Sequence, residues 1–442
     1  MNRQHYGLFT VISLIVGTVI GSGIFFKSDN ILVATGGSVG RGILVFCLAA
    51  FAIVFGCLSV SELAKRTDRP GGVVAYADVF INRRMSAAFG WFFGLVYYPT
   101  LGVVVSWVVG IYACILFGWE GTLERQMAIG AAFLLVCTGY NLVSARFAGL
   151  FQRVATVVKL LPLFLIALAG LLFGDPQAAS APQLAEGVRS LGWLSAIGPI
   201  AFAFDGWVVA TAISGELKNP RRNLPLALII SPLFILAIYV AYFSGISRMI
   251  GPDRILELGD GHVNLAAEQL LGAFGAKILL ACVLISVMGT VNGLVIAGIR
   301  TPNALAQEKA FPFATALAGT HPKTGLSIAS GVFFLGLSLL WYGAHYLTMR
   351  FNILPNSDIS EISIVVQYLL YILLYVQVFR LAAKGEIRSR FFGWVAPALA
   401  IVGSLIILAG GLQNPLAPFY ALFCLVFLIG GYLYAGRNAA TP

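Results

Sequence analysis

Charged residues are scarce in this chain, and their scarcity indicates its class. Asp, Glu, Lys and Arg make up 10% of the 442 residues, whereas 59% are hydrophobic. A soluble domain carries roughly 25% charged residues. Because ionisable groups are costly in lipid, a deficit of this size indicates that most of the surface faces a bilayer. It excludes an ordinary soluble globular protein.

Cysteine and histidine are also few, and neither is arranged for chemistry. The 6 cysteines form no CxxC pair and join no His/Cys cluster, so the sequence indicates neither a disulfide framework nor a metal site. None of the 4 histidines lies in a predicted helix core beside a Ser or Cys, so no nucleophile and base pair is visible. We therefore predict a protein that is not an enzyme and that has no cofactor and no metal.

Long apolar runs are what the sequence has in abundance. A helix needs about 20 apolar residues to cross the hydrocarbon core. The first apolar run lacks the small-residue cleavage site of a signal peptide, so we expect it to be retained as a helix. We predict an all-α polytopic membrane protein with twelve transmembrane helices. The predicted segments are 8–34, 41–62, 85–117, 127–144, 150–173, 193–214, 224–250, 276–300, 325–347, 359–382, 391–411 and 416–436.

The basic residues indicate the orientation of these helices. With a cytoplasmic N-terminus, nineteen of the 28 Lys and Arg residues fall in inner loops, eight fall outside and one lies within the membrane. This bias follows the positive-inside rule, and it predicts a multi-pass protein of the cell (inner) membrane with both termini cytoplasmic. Despite the net charge of +10, the basic residues form no interleaved patch, so we predict no nucleic-acid partner.

Two of the twelve segments are interrupted by residues that a membrane helix tolerates poorly. The first contains Gly21, Ser22 and Gly23 at mid-membrane, and the sixth contains Asp205 next to Gly206 at similar depth. Glycine destabilises a helix interior by roughly 1 kcal/mol, and lipid cannot satisfy the backbone groups that an unwound turn leaves free. Such breaks are therefore expected where the chain lines a polar cavity.

The spacing of the two breaks indicates internal symmetry. They are five helices apart, as two five-helix inverted repeats with a binding site at their interface would produce. We predict a single membrane domain over 1–442. It contains repeat 1 at about 8–173, repeat 2 at about 193–382 and two peripheral helices at about 391–436.

The chemistry predicted at the breaks suits a zwitterion. The N–H groups of Ser22 and Gly23, with the positive end of a helix dipole, favour a carboxylate. Carbonyl groups freed near Ile20, Phe202 and Ala203 favour an ammonium group. One site with both halves fits the backbone of an amino acid.

Alternatives stay open for several candidate residues. The glycines also fit close helix packing, and Asp205 also fits a buried carboxylate that is capped by backbone amides. Lys159 lies about 9 Å deep in the fifth segment, where it either serves the site or snorkels to the interface. Tyr242 and Asn292 are further candidates for coupling or gating. The alternatives are that Tyr242 is an interfacial or core aromatic and that Asn292 makes an interhelical hydrogen bond.

The motifs occur together in an order that is similar to a known family. The strings GTVIGSGIF, FAFDGW and SVMGTVNG stand in segments 1, 6 and 8, and GELKNP follows segment 6. Together they resemble the amino acid, polyamine and organocation transporter superfamily. They are most similar to its L-amino acid transporter family, including the bacterial serine/threonine and alanine/serine/cysteine exchangers. The resemblance implies a LeuT-like fold of ten helices in two inverted repeats plus two peripheral helices, working by alternating access.

The resemblance also implies roles for single residues. It implies a carboxylate site at Gly21–Gly23, an aromatic gate at Phe202, and a site for the amino and side-chain end of the substrate at Asp205 and Gly206. In the related families, a lysine like Lys159 stands where sodium-coupled relatives bind an ion.

The implied position of this lysine bears on ion coupling. The ammonium of Lys159 would satisfy carbonyl groups around Gly17 to Gly21 and the Ser286 hydroxyl, and it would repel sodium.

Animal members are disulfide-linked to a glycoprotein through a cysteine between helices 3 and 4. Residues 118–126 contain no cysteine, so we predict no disulfide-linked heavy chain.

From these observations we predict an amino acid transporter in a lipid bilayer. We expect a sodium-independent exchanger of small neutral L-amino acids of the alanine, serine, cysteine and threonine class. The alternative is a proton-coupled transporter, or a transporter of cationic amino acids or polyamines.

Overall fold

The computed structural model describes a helical chain. The residues that it describes are 6–21, 23–26, 28–69, 71–178, 200, 203–321, 325–354, 358–412, 414 and 416–438. Within these ranges, the extended backbone forms one isolated parallel bridge, between Tyr6 and Leu217. Ser22 and Phe202 of the predicted site lie outside the described residues.

Ten helices of the described chain are long and apolar enough to cross a membrane, which confirms the predicted multi-pass helical class. Each overlaps one predicted segment, whereas segments 1 and 6 contain only shorter helices, of which the first in segment 1 and the one at Val209–Ala212 are numbered here. The helices are α1 (Leu8–Val19), α2 (Val39–Ala64), α3 (Arg83–Phe117), α4 (Leu123–Val143), α5 (Ala145–Phe173), α6 (Val209–Ala212), α7 (Pro220–Ile250), α8 (Phe274–Gln307), α9 (Ile328–Arg350), α10 (Glu361–Ala383), α11 (Phe391–Gly411) and α12 (Ala417–Arg437).

Segment 1 is not one continuous helix. The 12 residues of α1 extend about 18 Å, which is too short for a hydrocarbon core of about 30 Å. The chain continues in two further short helices, Gly23–Phe26 and Ser28–Thr35. In segment 6, a turn at 204–208 precedes the four-residue α6. Both irregular stretches coincide with the glycines noted in the sequence.

α3 contains one π-helical turn, Phe93–Tyr97, in its middle. Pro99 lacks the N–H group that an α-helix would donate to the carbonyl of Leu95. The indole N–H of Trp341 in α9 donates to that carbonyl instead, at 2.9 Å. Turns of this kind often occur at functional sites, and this one ends at a tyrosine that reaches the turn before α6.

α1 packs against α5, α7 and α8, whereas α11 and α12 lie at the edge, on α2, α3 and α10. Glycine allows the close approach around α1. A Cβ at Gly17 would lie 2.3 Å from side-chain atoms of both Gln152 and Thr156 in α5, and a Cβ at Gly293 in α8 would lie 2.0 Å from Thr18 Oγ1. These separations are shorter than real Cβ contacts, so a side chain at either position would force the facing side chains or the helices to shift.

Candidate functional site

The break after α1 leaves backbone carbonyl groups that need other donors. α1 ends at Val19, and helical structure resumes at Gly23. Carbonyls at a helix end have no N–H partner within the helix. Lys159 of α5 supplies the donors: its Nζ donates to Gly17 O at 2.7 Å and also to Ile20 O.

Lys159 is fully buried and lies where α1, α5 and α8 meet. Ser286 Oγ donates to Ile20 O at 3.4 Å, and Thr290 Oγ1 donates to Gly17 O at 3.3 Å. The Nζ amino group therefore points at the α1 carbonyls and does not snorkel to the interface. Sequence analysis did not select Thr290, although it lies one helical turn after Ser286 and shares its face of α8.

The turn before α6 requires glycine and carries a buried carboxylate. Gly206 has a φ of 100°, which L residues rarely adopt, and a Cβ there would lie 2.9 Å from Thr18 Cγ2. Tyr97 Oη of α3 donates to Asp205 Oδ2 at 2.7 Å. Among the described residues, Asp205 Oδ1 has no hydrogen-bond partner of good geometry, although the side chain of Gln367 in α10 lies close to the carboxylate.

Two tyrosines of α7 bind the backbone of the interrupted segments. Tyr239 Oη donates to Ala203 O at 2.9 Å and lies 3.4 Å from Val19 O, so it connects the two breaks. Tyr242 Oη donates to Phe25 O at 3.2 Å. Sequence analysis selected Tyr242 but missed Tyr239. The signal that could have found it is its position three residues earlier, on the same face of the helix.

A cavity of about 210 Å³ lies against both breaks. It includes five of the predicted binding residues: Gly21, Gly23, Ala203, Asp205 and Gly206. This volume is below the roughly 300–1,000 Å³ of sites for drug-sized ligands, so it suits a small molecule. The other lining residues are Thr18, Val19, Ile24, Leu101, Val104, Val105, Val108, Tyr239, Thr290, Leu294 and Asp358.

Five other predicted residues are absent from this lining, namely Ile20, Lys159, Tyr242, Ser286 and Asn292. Ile20, Lys159 and Ser286 lie together behind the break in segment 1, and Tyr242 binds the short helix after it. These residues can shape the backbone of the site without contacting its contents.

Asn292 lies in a polar network between α4, α5 and α8. Its Oδ1 accepts hydrogen bonds from Tyr140 Oη and Asn141 Nδ2, both at 2.9 Å. Its Nδ2 donates to Gln152 Oε1 at 2.7 Å and to Ala148 O at 3.2 Å. The interhelical hydrogen bond that the sequence left open as an alternative is therefore what the structure contains.

A cluster of contacts closes the side of the fold that carries the start of α1. Tyr6 N donates to Glu216 O at 3.2 Å, Lys218 N donates to Tyr6 O at 2.9 Å, and Tyr6 Oη donates to Ala145 O at 2.7 Å. Arg300 of α8 holds the Glu216 carboxylate with two nitrogens. Burial raises the pKa of Tyr6 above its ordinary value, so the phenol stays a neutral donor. We call these contacts the Tyr6–Arg300 latch.

Comparison with known proteins identifies the family of this chain. A sequence model described as amino acid permease matches residues 6–433. The serine/threonine exchanger SteT of Bacillus subtilis (strain 168) is 29% identical over 415 residues, which are 93% of this chain and 91% of that protein. Asc-type amino acid transporter 1 of Mus musculus is 30% identical over 70% of this chain and 59% of its own length. Large neutral amino acids transporter small subunit 2 of Homo sapiens is 30% identical over 73% of this chain and 61% of its own length.

The family match begins just before α1 and reaches into α12, so it includes both interrupted segments and the cavity between them. The alignments span only about 60% of the two mammalian relatives, but nearly all of the bacterial exchanger. The ten membrane-crossing helices agree with a multi-pass transporter. The chain belongs to the amino acid permease family of the amino acid, polyamine and organocation superfamily.

Proposed function

We propose that the protein is a sodium-independent exchanger of small neutral L-amino acids, of the alanine, serine, cysteine and threonine class, working by alternating access. The observation that carries this proposal is the Lys159 ammonium on the carbonyl groups of Gly17 and Ile20. A sodium ion at the junction of α1, α5 and α8 would need the same oxygens. Because the ammonium already brings a positive charge and three donors to them, it disfavours a second cation there.

The cavity supports a small neutral substrate. A Cβ at Gly23 would meet nothing within 4 Å, so the backbone there is open to a carboxylate. The wall from α3 and α8 is mostly apolar, with Leu101, Val104 and Leu294 among its residues, and the carboxylates in the lining, Asp205 and Asp358, come from other parts of the chain. The proposal keeps the predicted carboxylate site at Gly21–Gly23 and the aromatic gate at Phe202.

We propose twelve crossings in a 5+5 inverted repeat, with both termini cytoplasmic. The Tyr6–Arg300 latch restricts the count to twelve or ten, because it brings the start of α1 and the end of segment 6 to one side. Four long helices lie between these segments, so segments 1 and 6 must either both cross the membrane or both fail to cross it. The connection between α3 and α4 has no cysteine, which supports function without a disulfide-linked heavy chain.

The test is uptake of labelled serine or alanine into proteoliposomes. We expect faster uptake when the vesicles are preloaded with unlabelled amino acid, and an unchanged rate when choline replaces sodium. Protein-free vesicles give the background. A sodium requirement would contradict the assignment of Lys159, and equal uptake into empty and preloaded vesicles would contradict exchange.

Asp205 favours a second candidate, a proton-coupled transporter or a carrier of cationic amino acids or polyamines. Its buried carboxylate lines the cavity, where it could face a substrate with a second positive charge. A competition panel separates a neutral from a cationic substrate, and uptake driven by an imposed pH gradient tests proton coupling. Arginine as the best inhibitor, with selective loss of arginine binding in Asp205→Asn, would favour the cationic substrate.

A further inference from the structure

The connection between α10 and α11 carries a dense group of cations. Arg380, Lys384, Arg388 and Arg390 follow one another over little more than two helical turns of sequence, and all four side chains are exposed. The acid among them is Glu386, so this stretch has a net positive charge of three. We call the four cations the α10–α11 basic cluster.

The described part of the fold provides no ion pair for this cluster. The ion pairs of the described residues include none of its four cations. By contrast, the cations at the neighbouring end of α2, Lys65 and Arg66, both pair with the buried Glu62. The cluster therefore presents its charge to whatever surrounds the protein at this end of the helices.

The backbone holds the cluster in a fixed turn. α10 ends in a Schellman motif: Glu386 N donates to Leu381 O at 3.0 Å. Gly385 N donates to Ala382 O at 2.9 Å, with the positive φ of 77° that the motif needs. Arg66 of α2 then donates to Glu386 O at 2.7 Å. Because the turn is already ordered, a ligand that binds the cluster does not have to order it, and this lowers the entropic cost of binding.

Aromatic side chains directly after the cluster indicate its depth in the membrane. Phe391 and Trp394 are both exposed, and the ring of Trp394 packs on Phe379 of α10 with 5.7 Å between their centroids. Lys65 Nζ lies 5.0 Å from the centre of the Phe392 ring and adds a further cation beside the cluster. Exposed tryptophan next to basic residues is typical of the headgroup level of a bilayer. The cluster is therefore expected among lipid headgroups.

We propose that the α10–α11 basic cluster binds the phosphate headgroup of an anionic phospholipid such as phosphatidylglycerol. Groups of about four to eight Lys and Arg at the end of a membrane helix attract anionic lipids, and arginine binds phosphate through two N–H groups at once. The exposed side chains of Phe391 and Trp394 offer the acyl chains of the same lipid an apolar surface. In the proposed orientation the site lies in the cytoplasmic leaflet.

The positive-inside rule alone is a competing explanation. It requires cations on this side of the membrane during insertion, but it does not require them to be close together, without ion pairs and on a fixed turn. A lipid site needs all three properties. The two explanations therefore differ in the effect of removing two cations from the cluster compared with removing two cations elsewhere on the same side.

The experiment is native mass spectrometry of the purified full chain, titrated with phosphatidylglycerol and separately with phosphatidylcholine of the same acyl chains. We expect the wild type to bind phosphatidylglycerol more tightly. The double variant Arg388→Gln/Arg390→Gln should bind the first phosphatidylglycerol about 30-fold more weakly, since each cation near a membrane surface contributes a factor of roughly five. Its binding of phosphatidylcholine should not change.

The matched control is the double variant Arg146→Gln/Arg222→Gln. Both arginines are exposed and lie on the same side in the proposed topology, and the ion pairs of the described residues do not include them. The control therefore loses the same charge, and its affinity for phosphatidylglycerol should equal that of the wild type. Because every substituted side chain is exposed, both double variants should unfold at the wild-type temperature without added lipid. If the cluster double variant does not insert, Lys384→Gln should show a roughly fivefold loss of affinity.

Three results would overturn the proposal. An equal loss of affinity in the cluster variant and in the control would show that the net charge of this side, and not a local site, attracts the lipid. Equal affinity of the wild type for both lipids would show that no anionic headgroup is selected. Binding of glycerol phosphate as tight as that of phosphatidylglycerol would assign the cluster to a soluble phosphate compound and not to a lipid.

Discussion

Replacing Lys159 with methionine should strongly reduce exchange without unfolding the protein. The Lys159 Nζ donates to two carbonyls of α1, Gly17 O and Ile20 O, and these hydrogen bonds are charge-assisted when the group is an ammonium, as the proposed function requires. Such bonds contribute about 1.5–3 kcal/mol each, so at least about 3 kcal/mol holds the end of α1 in this geometry. Each 1.36 kcal/mol is a factor of ten, and we therefore expect exchange to fall roughly 100-fold. Methionine is flexible enough to fill the same buried space.

Stability and exchange should respond differently to this change. Methionine removes the hydrogen bonds, but it also removes the penalty for burying an ammonium, and these two effects oppose each other. The melting temperature in detergent should therefore change little while exchange falls. The matched control is Lys277→Met, because Lys277 is exposed at the start of α8 and makes no contact with the break. Its exchange rate should equal that of the wild type.

The assay is serine exchange in proteoliposomes with equal amounts of reconstituted protein, together with thermal unfolding in detergent. Wild-type exchange by Lys159→Met would refute the reasoning, because it would show that the α1 carbonyls need no cation. A large loss of melting temperature together with a loss of exchange would instead assign Lys159 to folding.

Two further predictions concern the cavity and the latch. Gly23→Val should abolish serine uptake with normal membrane insertion, because the β-branched side chain would project into the space open above this backbone. Uptake at the wild-type rate would show that the substrate carboxylate does not bind at this break. Glu216→Gln should weaken its two-nitrogen contact with Arg300 and increase labelling by thiol reagents of a cysteine introduced at Tyr6, whereas unchanged labelling would show that the ion pair does not hold the latch.

The long helices could be predicted because each satisfies a local requirement. A run of about 20 apolar residues has few folded alternatives in lipid, and ten such runs became helices in the expected places. Segment 1 was predicted as one span over 8–34 with a break at Gly21–Gly23, and its first helix ends just before that break, at Val19. Where an interrupted helix stops depends on which neighbours satisfy its last carbonyls. Here the neighbour is Lys159, far away in the sequence, and hydropathy carries no information about it.

The site was predictable in its residue types but not in its partners. Gly21 and Asp205 were selected because glycine and an acid are unusual within a membrane helix, and both line the cavity. The contacts of Tyr97 and Tyr239 with this region depend on tertiary structure, since tyrosine is an ordinary residue of a membrane protein. Hydrophobic periodicity could not predict the π-helical turn that ends at Tyr97, although Pro99 indicates where the α-helical hydrogen bonds of α3 are interrupted.

The contacts that hold α1 determine the free energy needed to move it away from its neighbours. α5 presents a polar stripe to it at helical spacing: Thr156 Oγ1 donates to Ser13 O at 2.9 Å, and Lys159 donates to Gly17 O one turn further along. The Tyr6–Arg300 latch adds polar contacts at its start. Water can replace the neutral hydrogen bond of Thr156 at little net cost, whereas the bonds from Lys159 contribute about 1.5–3 kcal/mol each and exposing an apolar interface costs about 25 cal/mol for each Å². The proposed alternating access requires α1 to leave its neighbours and return, and this release exposes the buried side chains of Val11, Leu14 and Ile15 as well as the polar contacts, so the apolar face sets most of its cost.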